Sequence, residues 1–250
     1  MTRVSRYIAG LEKEAIPKWD EDKTIITFII VAGFVLGYND FNVYRTFHAF
    51  NAARWGFAFL LAMMGSIIAM YANVISQKAF AYSRGIKAKA VMNYWKVGLS
   101  MVIGVFSNGF IPLMFAPDME SRVQPYKRIG KFRYGINIRD FAKMGAFGSF
   151  VNFAIAGFLR AIFGFSNPIT NAIIIANIFV GFANALPIPK SPGFYAMYAG
   201  WAYFFLYFGF ALTGIFMILQ GPILALIYGI LSMITMYLLS MTFVERAFST

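Results

Sequence analysis

The sequence predicts an all-α fold, a polytopic bundle of membrane helices. Of its 250 residues, 60% are hydrophobic and 13% are charged, whereas soluble domains carry about 25% charged residues. Charge-free windows recur along the chain, and the longest covers the 54 residues 191–244. Because a bilayer-spanning helix needs about 20 apolar residues, this window has room for two helices. Gln220-Gly221-Pro222 marks the turn between them.

The apolar windows define the predicted elements in chain order. Residues 1–23 mix five basic with five acidic side chains, which indicates a cytoplasmic or interfacial N-terminal segment. Residues 24–250 are predicted to form a single membrane domain. Its expected membrane segments are 24–39, 55–77, 97–117, 144–159, 161–189 and the two helices of 191–244.

Basic side chains between these windows predict the topology. Residues 78–96 carry five basic residues and no acid, and 118–143 carry seven basic residues against three acids. Loops rich in Lys and Arg face the cytoplasm, so we expect both loops to be cytoplasmic in a multi-pass protein of the cell membrane. The same bias explains the net charge of +12 without a nucleic-acid partner.

Both loops can face the cytoplasm only if the segment 97–117 returns to the side from which it started. Gly104, Asn108, Gly109 and Pro112 lie in this segment and are poor residues for a regular span. A re-entrant segment, which gives six spans, is therefore favoured over a regular crossing, which gives seven.

Side chains that catalytic sites need are scarce. The chain has no cysteine and one histidine, His48, in an aromatic stretch typical of the membrane interface. Zinc catalysis in a membrane protease needs two histidines and a carboxylate. No acidic residue lies within an apolar window, which argues against an aspartyl protease and a proton-coupled carrier. We therefore expect no catalytic residue, no metal and no cofactor.

Three short segments combine amides, glycines and prolines in specific patterns. They are Asn73-Val74-Ile75-Ser76-Gln77, the glycine-rich segment 145–152 that ends in Asn152, and Asn184-Ala185-Leu186-Pro187-Ile188-Pro189 with Pro192-Gly193 after it. In this order, over about residues 46–203, they resemble the site-2 protease family of intramembrane zinc metalloproteases, especially its archaeal members. That family has a His-Glu-x-x-His helix, a Gly-Pro-x-x-Asn helix and an Asn-x-x-Pro-x-Pro segment ending in Asp-Gly.

The departures from the family pattern concern its reactive residues. Asn73 and Gln77 stand where the two zinc histidines would be, and Val74 stands in place of the catalytic Glu. Pro192 stands where the third zinc ligand, an Asp, would be. Neutral amides bind Zn²⁺ poorly and do not activate water. The resemblance therefore implies the scaffold of the protease without its reaction.

Other matched residues point to a binding role. The resemblance implies that Asn152, Asn184, Pro187 and Pro189 hold a transmembrane segment of a partner, since such segments align an extended substrate in active relatives. The plainer interpretation is that Asn184 and the prolines end a helix, and that buried amides join helices by hydrogen bonds worth roughly 0.5–2 kcal/mol each.

Three functions agree with these patterns. The first is a non-catalytic site-2-protease-like protein that binds or scaffolds other integral membrane proteins, as a subunit of a complex in the bilayer. The second is a subunit of a transporter or channel, which a water-filled cavity reaching the amides would favour. The third is an active intramembrane metalloprotease with unusual ligands, which the single histidine disfavours.

Overall fold

The structure, a computed structural model, describes residues 3–38, 52–107, 109–123 and 137–248. His48 lies outside this part of the chain, as do residues 124–136 of the second basic loop. The described elements in chain order are α1 (Arg3–Ala15), α2 (Trp19–Gly37), α3 (Ala52–Ser83), β1 (Ile86–Val91), α4 (Tyr94–Phe106), β2 (Asp118–Val123), α5 (Ile138–Phe163), α6 (Pro168–Ala183), α7 (Pro192–Ala199), α8 (Trp201–Leu219) and α9 (Pro222–Phe248).

Four described helices are long and apolar enough to cross a membrane, namely α3, α5, α8 and the Pro222–Met241 part of α9. They match the windows 55–77 and 144–159 and both halves of 191–244, with the turn at Gln220. The prediction of an all-α bundle of membrane helices is therefore confirmed.

A count of six to seven membrane segments is not confirmed. Helix α2 carries four charged residues near its start, at positions 20–23. Helices α4 and α6 have 13 and 16 residues. At about 1.5 Å per residue, both are shorter than the roughly 30 Å hydrocarbon core of a bilayer.

Capping side chains define where several helices begin. The side-chain oxygens of Asn93, Asn137, Asn167 and Ser191 accept hydrogen bonds from backbone N–H groups in the first turns of α4, α5, α6 and α7. These bonds satisfy donors that have no partner within the helix, which is why Asn and Ser are preferred at this position.

A two-stranded sheet joins the two basic loops. Along β1, Ile86, Ala88 and Ala90 are buried while Lys87 and Lys89 are exposed, as expected for a strand with one covered face. Strand β2 pairs antiparallel with β1, and the pair at one end is Val91 opposite Asp118. The segment 97–117 therefore leaves the sheet and returns to it. This sheet is the one described element outside the predicted all-α pattern.

Helix α3 lies at the centre of the bundle and packs against α2, α5 and α6. Glycines allow its closest contacts. A Cβ on Gly65 would overlap the backbone carbonyl of Ala172 in α6, and one on Gly37 would lie 3.0 Å from the Cα of Phe59. Small residues at such contacts let membrane helices approach each other closely.

A buried ion pair fastens the sheet to α2 and α3. The Lys78 Nζ lies 2.7 Å from Glu21 Oε2, and the two side chains are 3% and 2% exposed. Glu21 Oε1 accepts the backbone N–H of Ala90 in β1 at 2.8 Å, and Lys78 also donates to the carbonyl of Ile16 at 3.1 Å. The sequence pattern predicts Lys78 in the basic loop 78–96, but it lies in the last turns of the helix α3 and is buried.

The Glu21 carboxylate makes stability depend on pH. Burial by itself raises its pKa, but the hydrogen bonds from Lys78 and from the backbone of Ala90 and Lys18 outweigh burial and leave the pKa below its usual 4.5. A lowered carboxyl pKa stabilises the fold above about pH 4.5, and this contribution is lost as the pH falls through the folded-state pKa.

We expect the unfolding temperature in detergent to fall when the pH drops below about 4.5. In Glu21→Gln this part of the dependence should disappear, which thermal unfolding at a series of pH values measures. An identical pH profile in the wild type and in Glu21→Gln would contradict this role of Glu21.

Candidate functional site

The three segments singled out in the sequence meet at one place. Asn73 and Gln77 lie on α3, the glycine-rich segment 145–152 lies on α5, and Asn184 follows the last residue of α6. Pro192 begins α7 and packs against Gly145 so closely that a Cβ on that glycine would overlap the proline ring. Residues far apart in the chain thus form one site at the side of the bundle that carries the sheet.

An amide cluster of Asn73, Gln77 and Asn184 forms the centre of this site. Gln77 Nε2 donates to Asn73 Oδ1 at 2.6 Å, and Asn184 Nδ2 donates to the same oxygen at 3.2 Å. All three side chains are buried, between 0% and 2% exposed. The spacing of four places Asn73 and Gln77 on one helix face, and the cluster joins α3 to the end of α6 by side-chain hydrogen bonds.

Gly148 on α5 covers the amide cluster. A Cβ at this position would lie 2.8 Å from Gln77 Cγ and 3.0 Å from Asn73 Nδ2. The absence of a side chain therefore lets the α5 backbone lie directly on the two amides. Val74, next to Asn73, is fully buried and belongs to the hydrophobic core with Met70 and Val180.

The loop 184–191 between α6 and α7 is a compact turn. The buried Ser191 hydroxyl donates to the Leu186 carbonyl and accepts the N–H of Ile188 and Phe194, both at 3.2 Å. The N–H of Gly193 donates to the Asn184 carbonyl at 2.8 Å, which closes the turn. Within this turn Pro187 and Pro189 are exposed. The proline pair therefore forms a surface beside the buried amides.

Asn152 lies one turn beyond Gly148 on α5 and is fully buried. Neither its Nδ2 nor its Oδ1 has a hydrogen-bond partner among the described residues. The structure therefore places Asn152 on the helix that covers the amide cluster but does not bond it to that cluster. An unsatisfied buried amide destabilises a fold by about 1–3 kcal/mol, and an ordered water is the usual partner of such a group.

A second buried ion pair borders the site, and sequence reasoning missed it. Lys96 at the start of α4 pairs with Asp118 at the start of β2, and Asn93 Nδ2 donates to Asp118 Oδ2 at 2.6 Å. Burial lowers the pKa of Lys96, and the charge of Asp118 opposes this shift. The one feature of the sequence that could have indicated this pair is its position, because Lys96 directly precedes the segment 97–117 and Asp118 directly follows it.

The open space next to the amides is small. A cavity of about 10 Å³ is lined by Gln77, Lys96, Asp118, Pro192 and Tyr195, among others. This volume holds about one water molecule. Burial, followed by the charge of Asp118, raises the pKa of Tyr195 above its ordinary value of 10.0.

The side chains at these positions do not fit a zinc ion. The oxygen of Asn73 already accepts two hydrogen bonds, Gln77 donates one of them, and Pro192 offers no donor atom. No group of three or more His, Cys, Asp or Glu that could hold a metal occurs in the part of the chain that the structure describes. Zinc ligation in proteins uses thiolate, imidazole or carboxylate groups.

Comparisons of the chain with models of protein families, with curated proteins and with solved structures give no significant match.

Proposed function

We propose that this chain is a non-catalytic, site-2-protease-like integral membrane protein that binds a transmembrane segment of another membrane protein. The observation that carries the proposal is the amide cluster of Asn73, Gln77 and Asn184 under Gly148. It joins the three segments on which the family resemblance rests, and it uses neutral side chains where the family has zinc ligands and a general base.

The surface beside the cluster suits an extended or unwound partner segment. Pro187 and Pro189 are exposed there. Beside them, Lys190 lines the cavity of about 10 Å³ next to Gln77, together with Pro117, which precedes β2. Among the described residues β2 pairs only with β1, so its other edge has no strand partner within that part of the chain. An unpaired edge is a template for adding a strand from a partner.

The arrangement around the sheet also supports a re-entrant segment. Because Val91 pairs with Asp118, the segment 97–117 begins and ends at the same sheet, and its helix α4 is too short to cross. We infer that this segment enters and leaves the cell membrane on the cytoplasmic side, with the basic loops 78–96 and 118–143 beside it.

Site-specific photo-crosslinking in native membranes tests the proposed function. A photoreactive amino acid at Pro189 should yield a discrete adduct with a second membrane protein. The same amino acid at Leu231, which is 52% exposed on α9, serves as the control and should not yield this adduct.

The fate of the partner distinguishes binding from cleavage. When the captured protein is co-expressed with the wild type, its length on a gel should stay unchanged. Cleavage of the partner, or one zinc ion per chain in metal analysis of the purified protein, would contradict the non-catalytic proposal. The absence of any adduct specific to Pro189 would contradict the binding role.

A further inference from the structure

An apolar cleft opens on the other half of the molecule, between α5 and the hairpin of α8 and α9. Its volume is about 400 Å³, within the range of roughly 300–1,000 Å³ that is typical of small-molecule sites. Phe153, Phe158 and Leu226 are among its walls, and Thr213 is the single polar residue in its described lining. The cleft therefore favours a hydrocarbon ligand.

A cation, Arg160, lies beside this cleft without lining it. Arg160 is in the last turn of α5, next to the lining residues Gly157 and Ala161. Its Nε and Nη2 donate to the carbonyl of Gln220 at 3.1 and 2.8 Å, two residues before the lining residue Pro222. Its guanidinium carbon also lies 3.8 Å from the centre of the Phe165 ring. These contacts hold the guanidinium between α5 and the turn of the hairpin.

The third guanidinium nitrogen, Arg160 Nη1, is buried within a side chain that is itself only partly buried, and it forms no hydrogen bond with any described residue. No ion pair between Arg160 and a described carboxylate occurs either. A buried donor on a charged group is costly unless it binds an acceptor, and an anion is the strongest acceptor for it.

We propose that this cleft binds one membrane glycerophospholipid, with a hydrocarbon chain between α5 and α9 and the phosphate on Arg160. The end of a membrane-spanning helix is the depth at which lipid phosphates lie, and Arg160 is three residues from the end of α5. A phospholipid supplies both an apolar chain and an anion. An apolar partner helix would fill the cleft but leave Nη1 without an acceptor.

Native mass spectrometry of the delipidated protein in detergent tests this site. A phosphatidylglycerol is added in one arm, and a diacylglycerol with the same chains but no phosphate is added in the other. We expect one phosphatidylglycerol per chain, and diacylglycerol binding at least about tenfold weaker, because the charge-assisted hydrogen bond is lost. Arg160→Gln should weaken phosphatidylglycerol binding by a similar factor.

Two further variants isolate the cleft from the charge. Ala154→Phe places a ring in the cleft from an exposed position, leaves Arg160 and Gln220 untouched, and should block the hydrocarbon chain. Arg139→Gln removes a charge from the opposite end of the same helix and should bind like the wild type. Equal binding of both lipids, wild-type binding by Arg160→Gln or Ala154→Phe, or an equal loss in Arg139→Gln would each overturn the proposal.

Discussion

Replacing Lys78 with methionine is expected to lower the free energy of unfolding by about 3–5 kcal/mol, because Glu21 would remain as an unpaired buried carboxylate. The two side chains are almost fully buried and 2.7 Å apart, and Glu21 also holds the backbone of β1. Denaturant or thermal unfolding of the purified protein in detergent measures the change. This pair therefore links α2, α3 and the sheet that borders the amide cluster.

Two comparisons separate the cost of leaving Glu21 unpaired from the cost of removing any lysine. The double variant Glu21→Gln with Lys78→Met removes both charges and should be clearly more stable than Lys78→Met alone. Lys89→Met breaks the exposed pair of Lys89 with Asp20, whose side chains are 54% and 76% exposed, and should cost less than about 1 kcal/mol. Equal destabilisation by Lys78→Met and Lys89→Met would show that the buried pair contributes no more to the free energy of unfolding than the exposed pair.

Gly193→Ala is expected to be strongly destabilising at the candidate site. A Cβ there would overlap the carbonyl of Ala185 and lie 2.6 Å from that of Leu186. Backbone atoms cannot rotate away as a flexible side chain can, so the loop 184–191 must shift. We expect a loss of about 1–3 kcal/mol in the free energy of unfolding and loss of the crosslink from Pro189.

Gly98→Ala is the matched control for this substitution. Gly98 lies within α4, and a Cβ on it would have no atom within 4 Å. Alanine there should be neutral or stabilise the helix by up to about 1 kcal/mol, since glycine is the poorer helix former. A result of the same sign and size for both variants would contradict the close packing of the loop 184–191 against α7.

Several elements could be predicted from the sequence because their signal is local. The charge-free windows predict α3, α5, α8 and α9, and the Gln220-Gly221-Pro222 turn predicts the hairpin. The spacing of Asn73 and Gln77 indicates a shared helix face, which is a property of the helix alone. The alternation along 86–91 is also a local signal, but six residues between two helices are easily taken as a loop.

Other features depend on contacts between distant segments and were not predicted. Nothing near Lys78 in the chain reveals that Glu21 is its partner, because they are 57 residues apart. Lys96 and Asp118 become neighbours only because β1 and β2 pair. In the sequence, Lys78 and Lys96 resemble residues of an exposed basic loop. Tertiary packing instead buries each of them against a carboxylate.

The sequence by itself determined the apolar solvent of this protein, the helical class of most of its segments and the neutral side chains at Asn73, Gln77 and Asn184. These are consequences of composition and short-range periodicity. The tertiary structure decided that Asn73, Gln77 and Asn184 share one oxygen acceptor while Asn152 remains apart, and that a sheet returns the segment 97–117 to its starting point. The physical reason is that periodicity defines which face of a helix is buried, but only packing defines which face of another helix it meets.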